Sequence, residues 1–106
     1  MLVVSRFRVP VDQGESFRSE LQQALDALAE RPGHLAGTVG RNVDDPTLWV
    51  LTTTWEHVGA YRRALSAYDV KLRAVPLLSR ALDEPSAYEV VEPGTALNIP
   101  STRSIT

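Results

Sequence analysis

Two aromatic side chains, Trp55 and Tyr61, have the types and spacing that could hold or activate a flat organic molecule. Trp55 ends the β-branched run "LWVLTTTW", and Tyr61 lies at the start of the helical pattern that follows. An indole can stack on a planar ligand and donate from its N–H, and a phenol can both donate and accept a hydrogen bond. We therefore predict that the two rings form opposite walls of a small apolar cavity. The alternative is that both are ordinary core residues.

Three residues beside this pair are candidates to contact a bound ligand. Leu51 shares a strand face with Trp55, because side chains two and four positions apart on a strand point the same way. Leu65 and Tyr68 follow Tyr61 at the three- and four-residue spacing of one helix face. For Tyr68 we favour burial between helix and sheet over contact with a ligand.

His57 and Arg41 could supply the polar chemistry of such a site. His57 lies at a predicted helix start, where an imidazole could act as a general base, although a solvated turn residue is the favoured interpretation. Arg41 lies near the end of a predicted strand and could bind an oxyanion if it lines a polar cavity. His34 is not at metal-ligand spacing from His57, so no metal site is expected.

The composition excludes several classes of function. The 106 residues suffice for one small domain, and they are 43% apolar and 23% charged, as in soluble globular proteins. A net charge of -2, with scattered basic residues, argues against nucleic-acid binding, which needs a basic stripe. The absence of cysteine excludes disulfides and thiolate metal sites. No apolar run is long enough for a signal peptide or a membrane span, so we expect a cytoplasmic protein with no membrane partner.

The pattern of apolar residues predicts four strands and two helical regions. Strands are predicted at residues 2–9, 34–43, 48–55 and 87–92, and a first helix at 16–31. A second helical region begins at residue 57 and cannot run through Pro76, which predicts two helical pieces. The order β-α-β-β-α-β defines an α+β, ferredoxin-like fold. Its four-stranded antiparallel sheet carries both helices on one face.

The third predicted strand is apolar on both faces. Alternate residues point to opposite sides: Trp49, Leu51, Thr53 and Trp55 on one, and Leu48, Val50, Thr52 and Thr54 on the other. A sheet with apolar residues on both faces is normally covered on both. We therefore predict a homodimer in which the sheets of two copies pack face to face. Trp49 is expected in the core or in this interface.

The last segment of the chain differs in composition from the rest. Residues 93–106 contain Pro, Gly, Ser, Thr and Asn without periodicity. We predict a folded domain over residues 1–92 and a tail over 93–106 that is flexible or contacts a partner subunit.

Several local sequences together resemble a known family. Pro32-Gly33 closes the first helix, "RNVDDPTLWVLTTTW" spans residues 41–55, "AYRRAL" spans 60–65, and the last strand contains "YEV". Over residues 1–92 the chain resembles the antibiotic biosynthesis monooxygenase domain family, in the dimeric α+β barrel group. The resemblance implies a homodimer.

The same resemblance implies a reaction. In family members that oxidise polyketides, a tryptophan and a tyrosine at this spacing face the substrate, and these positions fall on Trp55 and Tyr61. The implied activity is a monooxygenation that needs no metal, flavin or other cofactor. Molecular oxygen would oxidise a small planar aromatic substrate: a quinol, a phenol or an anthrone-like polyketide. Some of these enzymes carry an asparagine where this chain has Leu51, which cannot form a hydrogen bond.

Three other functions of the family can be weighed against the residues. Haem degradation is disfavoured, because the first strand lacks an asparagine and residues 58–92 contain no histidine. A small-molecule isomerase would need an acid–base pair, which His57 with Tyr61 or Glu56 could provide. A non-catalytic homodimer that binds a small ligand is the third alternative.

Overall fold

The computed structural model describes residues 1–97, and its elements follow the predicted order. The strands are β1 Leu2–Arg8, β2 His34–Arg41, β3 Leu48–Trp55 and β4 Ala87–Tyr88. The helices are α1 Gly14–Ala29, α2 Val58–Ser66, α3 Tyr68–Arg73 and α4 Val75–Leu78. One turn of 3-10 helix, Val11–Gln13, leads directly into α1.

The four strands form one antiparallel sheet in the order β2-β3-β1-β4. β3 pairs along the whole of β1, so that Ser5 lies opposite Leu51 and Phe7 opposite Trp49. Alternate residues of β1 and β3 are buried, which shows that one face of the sheet packs against the helices. The ferredoxin-like α+β fold is therefore confirmed, and so is the predicted division of β3 into two faces.

A continuous core fills the space between this face of the sheet and the helices. Its largest fully buried side chains are Trp55, Phe7, Phe17, Leu21, Leu28 and Val70. The Phe17 ring lies 5.3 Å from the Phe7 ring and 5.5 Å from the Trp49 ring, measured between centroids. Trp49 thus belongs to the core and points away from the face that was expected to form a dimer.

Two glycines allow close contacts between the helices and the rest of the chain. Gly33, in the turn after α1, has a φ of 90°, and a Cβ there would clash with the Cβ of Ala60 in α2. A Cβ at Gly37 would clash with Leu25 of α1. The glycine inside the β2 pattern therefore marks close contact between helix and strand, as its position in the sequence predicts.

The second helical region is broken twice, whereas one break was expected, at Pro76. α2 and α3 meet at Ala67, whose φ of -69° and ψ of 140° are those of extended backbone. A second break falls at Ala74, and Pro76 lies in the first turn of α4, where its missing N–H costs no hydrogen bond. Because the extended residue resets the helical phase, the apolar face of α2 does not continue into α3. Tyr68 is consequently 77% exposed, and its predicted burial between helix and sheet is wrong.

β4 is shorter than the strand predicted over residues 87–92. It pairs only through Ala87 with Val3 and Tyr88 with Leu2, at the very start of β1. The chain beyond Tyr88 runs past the end of β1 and meets no further strand within residues 1–97. Residues 93–97 are exposed, and the rest of the predicted tail, 98–106, lies outside the described residues.

The second face of the sheet carries no helix in the described part of the chain. Leu2 and Val4 of β1 and Val50 and Thr52 of β3 lie on it and are half-buried. We call these four residues the open sheet face. Over the same described residues, no helix is both long enough and apolar enough to cross a membrane.

Candidate functional site

Trp55 is enclosed by protein, with 1% of its surface exposed. Its indole Nε1–H donates a hydrogen bond to the Thr53 hydroxyl at 2.9 Å. Its ring packs on Tyr61 at a centroid distance of 5.5 Å and edge-on against His34 at 5.1 Å. Because both the polar and the apolar surfaces of Trp55 are satisfied within the protein, it has no group free to bind a ligand.

The predicted placement of Trp55 and Tyr61 as opposite walls of one cavity is wrong. With centroids 5.5 Å apart and 52° between their planes, the two rings are in direct contact, and nothing fits between them. Trp55 supports Tyr61 from behind. Of the two, Tyr61 alone lines the cavity found beside them.

This cavity, of about 400 Å³, lies between β1 and the chain segment that leads from α4 to β4. Ser5 and Arg6 lie on its sheet side, Tyr61 and Leu78 on its helix side, and the segment 81–86 supplies most of the remaining lining. The volume is in the range of pockets that hold small organic ligands, roughly 300–1,000 Å³. The lining mixes aliphatic, hydroxyl and charged groups, so it is more polar than the sequence predicted.

The segment 81–86 is hydrogen-bonded and ion-paired to the edge of β1. The Leu82 N–H donates to the Arg6 carbonyl at 2.8 Å. The Arg6 guanidinium forms a bidentate ion pair with Glu84, with N–O distances of 2.8 Å and 2.6 Å. These hydrogen bonds raise the pKa of Arg6 and lower the pKa of Glu84, so both groups stay charged at neutral pH. The outer wall of the cavity is therefore held in place by backbone and side-chain contacts.

Tyr61 is the half-buried phenol of the cavity wall. Burial raises its pKa above the ordinary value of 10.0, because the phenolate would be poorly solvated there. The phenol is therefore protonated at neutral pH. Its hydroxyl has no hydrogen-bond partner within residues 1–97, so it is available to donate to a ligand oxygen.

Two polar residues near the pair of Trp55 and Tyr61 are not selected by the sequence analysis. Ser5 is buried on β1 and lines the cavity. The sequence indicates Ser5 only by the presence of one polar residue at a position of β1 where the alternation predicts a core residue. His34 packs against Trp55, and burial lowers its pKa, so the imidazole is neutral at neutral pH. No local pattern could find His34, because its contact depends on how the turn at Gly33 folds.

His57 caps α2 and does not line the cavity. Its Nδ1 accepts a hydrogen bond from the Ala60 N–H at 3.1 Å, and its backbone is extended, as is usual for an N-cap residue. The side chain is exposed. The structure thus supports a role in helix capping and gives none to His57 as a base in this cavity.

The predicted ligand contacts also lie elsewhere. The Arg41 guanidinium carbon is 5.4 Å from the Trp49 ring centroid, beside a separate depression of about 240 Å³. Leu51 is buried in the middle of the core, and Leu65 packs against that core from α2. Together with the exposed Tyr68, none of these side chains lines the 400 Å³ cavity.

The chemistry available in this cavity is hydrogen bonding and proton transfer. It contains the hydroxyls of Ser5 and Tyr61, the ion pair of Arg6 and Glu84, and Asp83, a carboxylate without an ion pair in the described part of the chain. Among residues 1–97, no group of three or more His, Cys, Asp or Glu side chains is arranged to hold a metal ion. The arrangement can bind a small organic molecule, donate to its oxygen atoms and accept a proton from it.

The fold is that of a small α+β domain with a cavity in the size range of pockets for small organic molecules. The profile of the antibiotic biosynthesis monooxygenase family matches residues 1–71, and the chain belongs to that family. The family predicted from the local sequences is therefore confirmed. No curated protein matches the chain significantly.

Several solved structures share this fold. A mutant of SnoaB, a cofactor-independent oxygenase from Streptomyces nogalater, is 26% identical, with a TM-score of 0.67 over 76% of this chain and 82% of SnoaB. A protein from Deinococcus radiodurans with the same family description is 22% identical, with a TM-score of 0.69 over 93% of this chain and 98% of its own. A conserved protein from Methanosarcina mazei is 19% identical, with a TM-score of 0.65 over 81% and 84%.

Proposed function

We propose that the protein is a cofactor-independent monooxygenase that oxidises a small planar aromatic substrate with molecular oxygen. The substrate would be a quinol, a phenol or an anthrone-like polyketide. The observation that carries this proposal is the protonated, unpartnered phenol of Tyr61 in a cavity of about 400 Å³. Family membership and the likeness to SnoaB support the class of reaction.

The role of Tyr61 in this reaction follows from its protonation state. Removal of a proton from the substrate moves negative charge onto a ring oxygen. A preorganised donor stabilises such charge more than water does. The Tyr61 hydroxyl is such a donor, because a phenol is protonated at neutral pH and contact with Trp55 holds its ring in place.

The substrate supplies all the electrons that the reaction needs. For an anthrone, the reacting CH₂ group loses two hydrogens and gains one oxygen atom as a carbonyl, and the second oxygen atom of O₂ leaves as water. The proton removed first needs an acceptor. Asp83 lines the cavity and has no ion pair in the described residues, so it is the carboxylate that we assign to this step.

Oxygen consumption tests the proposal directly. Purified protein stripped of metals is given a panel of quinols and anthrones, and the uptake of O₂ is followed with an oxygen electrode. We expect uptake above the rate of autoxidation for at least one compound. If the protein binds these compounds but O₂ uptake never exceeds the rate of autoxidation, the non-catalytic ligand-binding alternative is favoured.

We also propose that two copies associate through the open sheet face. Its residues are aliphatic or carry methyl groups and are half-buried without a helix above them. An apolar sheet face of this kind is normally covered, and a second copy of the same sheet is complementary in shape. Trp49, in contrast, is unsuitable as a probe of this interface because it points into the core.

Replacing Val50 with lysine is expected to give a monomer. Val50 lies on the open sheet face, so in a dimer the new ammonium group would be buried against the apolar face of the second copy. Light scattering after size exclusion should show the monomer mass of 11.7 kDa, against twice that mass for the unmodified protein. Leu72→Lys is the control, because Leu72 is exposed on α3 and should leave the mass unchanged. A dimer that survives Val50→Lys would contradict the proposed interface.

A further inference from the structure

Ser5 is a polar residue at a core position. It lies on the helix face of β1 between Val3 and Phe7, which are both buried, and opposite Leu51 of β3. The exposed fraction of Ser5 is 7%, and the residue lines the cavity that also contains Tyr61.

The Ser5 hydroxyl has no hydrogen-bond partner within residues 1–97. The other buried polar residue of the described core, Thr53, differs in this respect, because its hydroxyl accepts a hydrogen bond from the Trp55 indole. Buried polar groups are nearly always satisfied, by the protein or by water. Ser5 Oγ is not among the fully enclosed side-chain atoms of residues 1–97 that lack a partner, so it keeps accessible surface on the cavity. The hydroxyl is therefore free to exchange hydrogen bonds with a molecule that enters the cavity.

The charges of the lining indicate what kind of partner this is. Arg6 is neutralised by Glu84, and Asp83 adds a further carboxylate without an ion pair in the described residues. The lining therefore carries a net negative charge, which disfavours an anion. It suits a neutral molecule whose oxygen atoms can exchange hydrogen bonds with hydroxyl groups.

We propose that Ser5 is a substrate-binding residue that, with Tyr61, selects neutral hydroxylated aromatic molecules over oxygen-free ones. The two hydroxyls come from β1 and α2, so a ligand oxygen can be recognised from the sheet and from the helix layer. The aromatic nature of the ligand rests on the proposed function, whereas the requirement for an oxygen atom rests on Ser5 itself.

Binding of 1-naphthol and naphthalene to the full chain tests this selection. The two probes differ by one hydroxyl, and equilibrium dialysis measures both affinities without any oxidation. We expect the unmodified protein to bind 1-naphthol more tightly. Ser5→Ala should weaken 1-naphthol binding about fivefold, the worth of one ordinary hydrogen bond, and leave naphthalene within about twofold. Ser5→Thr keeps a hydroxyl and should retain most of the preference.

Thermal unfolding of the ligand-free protein separates this role from a structural one. Ser5→Ala should unfold at the same or a higher temperature, because the lost hydroxyl has no partner in the described residues. Thr53→Val should unfold at a lower temperature, because it leaves the Trp55 indole N–H unpaired.

Three results would overturn the inference. They are a lower unfolding temperature for Ser5→Ala with unchanged 1-naphthol affinity, equal binding of the two probes by the unmodified protein, and binding of neither probe. Failure of the oxygenase proposal would appear in oxygen uptake alone, so the two ideas can fail separately.

Discussion

Replacing Tyr61 with phenylalanine is expected to lower the turnover number for an anthrone or quinol about 100-fold. Loss of one donor to a developing oxyanion typically reduces turnover by this order. The ring contact with Trp55 is kept, and the lost hydroxyl has no partner in residues 1–97, so the free energy of unfolding should change by less than about 0.5 kcal/mol. Oxygen uptake and urea unfolding of the same preparations measure both quantities.

Tyr68→Phe is the matched control for this substitution. It removes the same hydroxyl from a tyrosine that is 77% exposed and lies outside the cavity lining. Its turnover should equal that of the unmodified protein. A Tyr61→Phe variant with turnover within about twofold of the original would contradict the role of Tyr61 as a donor.

The pH dependence of turnover gives a second check on Tyr61. Burial raises the pKa of its phenol, so ionisation of this group begins only above its ordinary range near pH 10. Turnover should therefore show no loss attributable to Tyr61 between pH 7 and pH 9. A decline over that interval that disappears in Tyr61→Phe would show that the phenol ionises too early to serve as the proposed donor.

Replacing Trp55 with alanine is expected to reduce the free energy of unfolding by about 3–5 kcal/mol. The side chain is 1% exposed and packs on both Tyr61 and His34, so its removal leaves a space that these rings cannot fill. Small domains have roughly 5–15 kcal/mol of stability in total, so this loss is a large share of the total. Urea denaturation measures the change, and a loss below about 1 kcal/mol would contradict the packing.

The hydrogen bond between Trp55 and Thr53 can be separated from this packing by a double-mutant cycle. Trp55→Phe and Thr53→Val each leave one buried polar partner unpaired, whereas the double variant leaves neither. The losses of unfolding free energy in the two single variants should therefore add up to more than the loss in the double variant, by about 1 kcal/mol. Additive losses would show that the 2.9 Å contact contributes nothing to stability.

The sequence predicts the fold well where a local pattern determines the structure. β3 is observed over the predicted residues, because its β-branched and aromatic residues favour a strand throughout. The break at Ala67 could not be predicted, since alanine is a good helix former and its extended backbone depends on how α3 packs. The end of β4 likewise depends on where β1 begins, which no pattern within residues 87–92 contains.

The site was less predictable than the fold. The spacing of Trp55 and Tyr61 correctly indicates that they are neighbours, but it cannot tell a shared cavity from direct ring packing. The cavity wall opposite Tyr61 comes from the segment 81–86, which is neither helix nor strand and therefore leaves no periodic pattern in the sequence. Ser5 could be found only by asking why a core position on β1 is polar.

The short pairing of β4 has a consequence for the solubility of the protein. An unpaired strand edge invites foreign strands and aggregation, and natural proteins cover or charge such edges. β4 pairs with only the first residues of β1, and the Leu82 N–H and the Arg6–Glu84 ion pair protect the middle of this edge. A change that moves segment 81–86 away from β1 would therefore uncover a strand edge and raise the risk of aggregation.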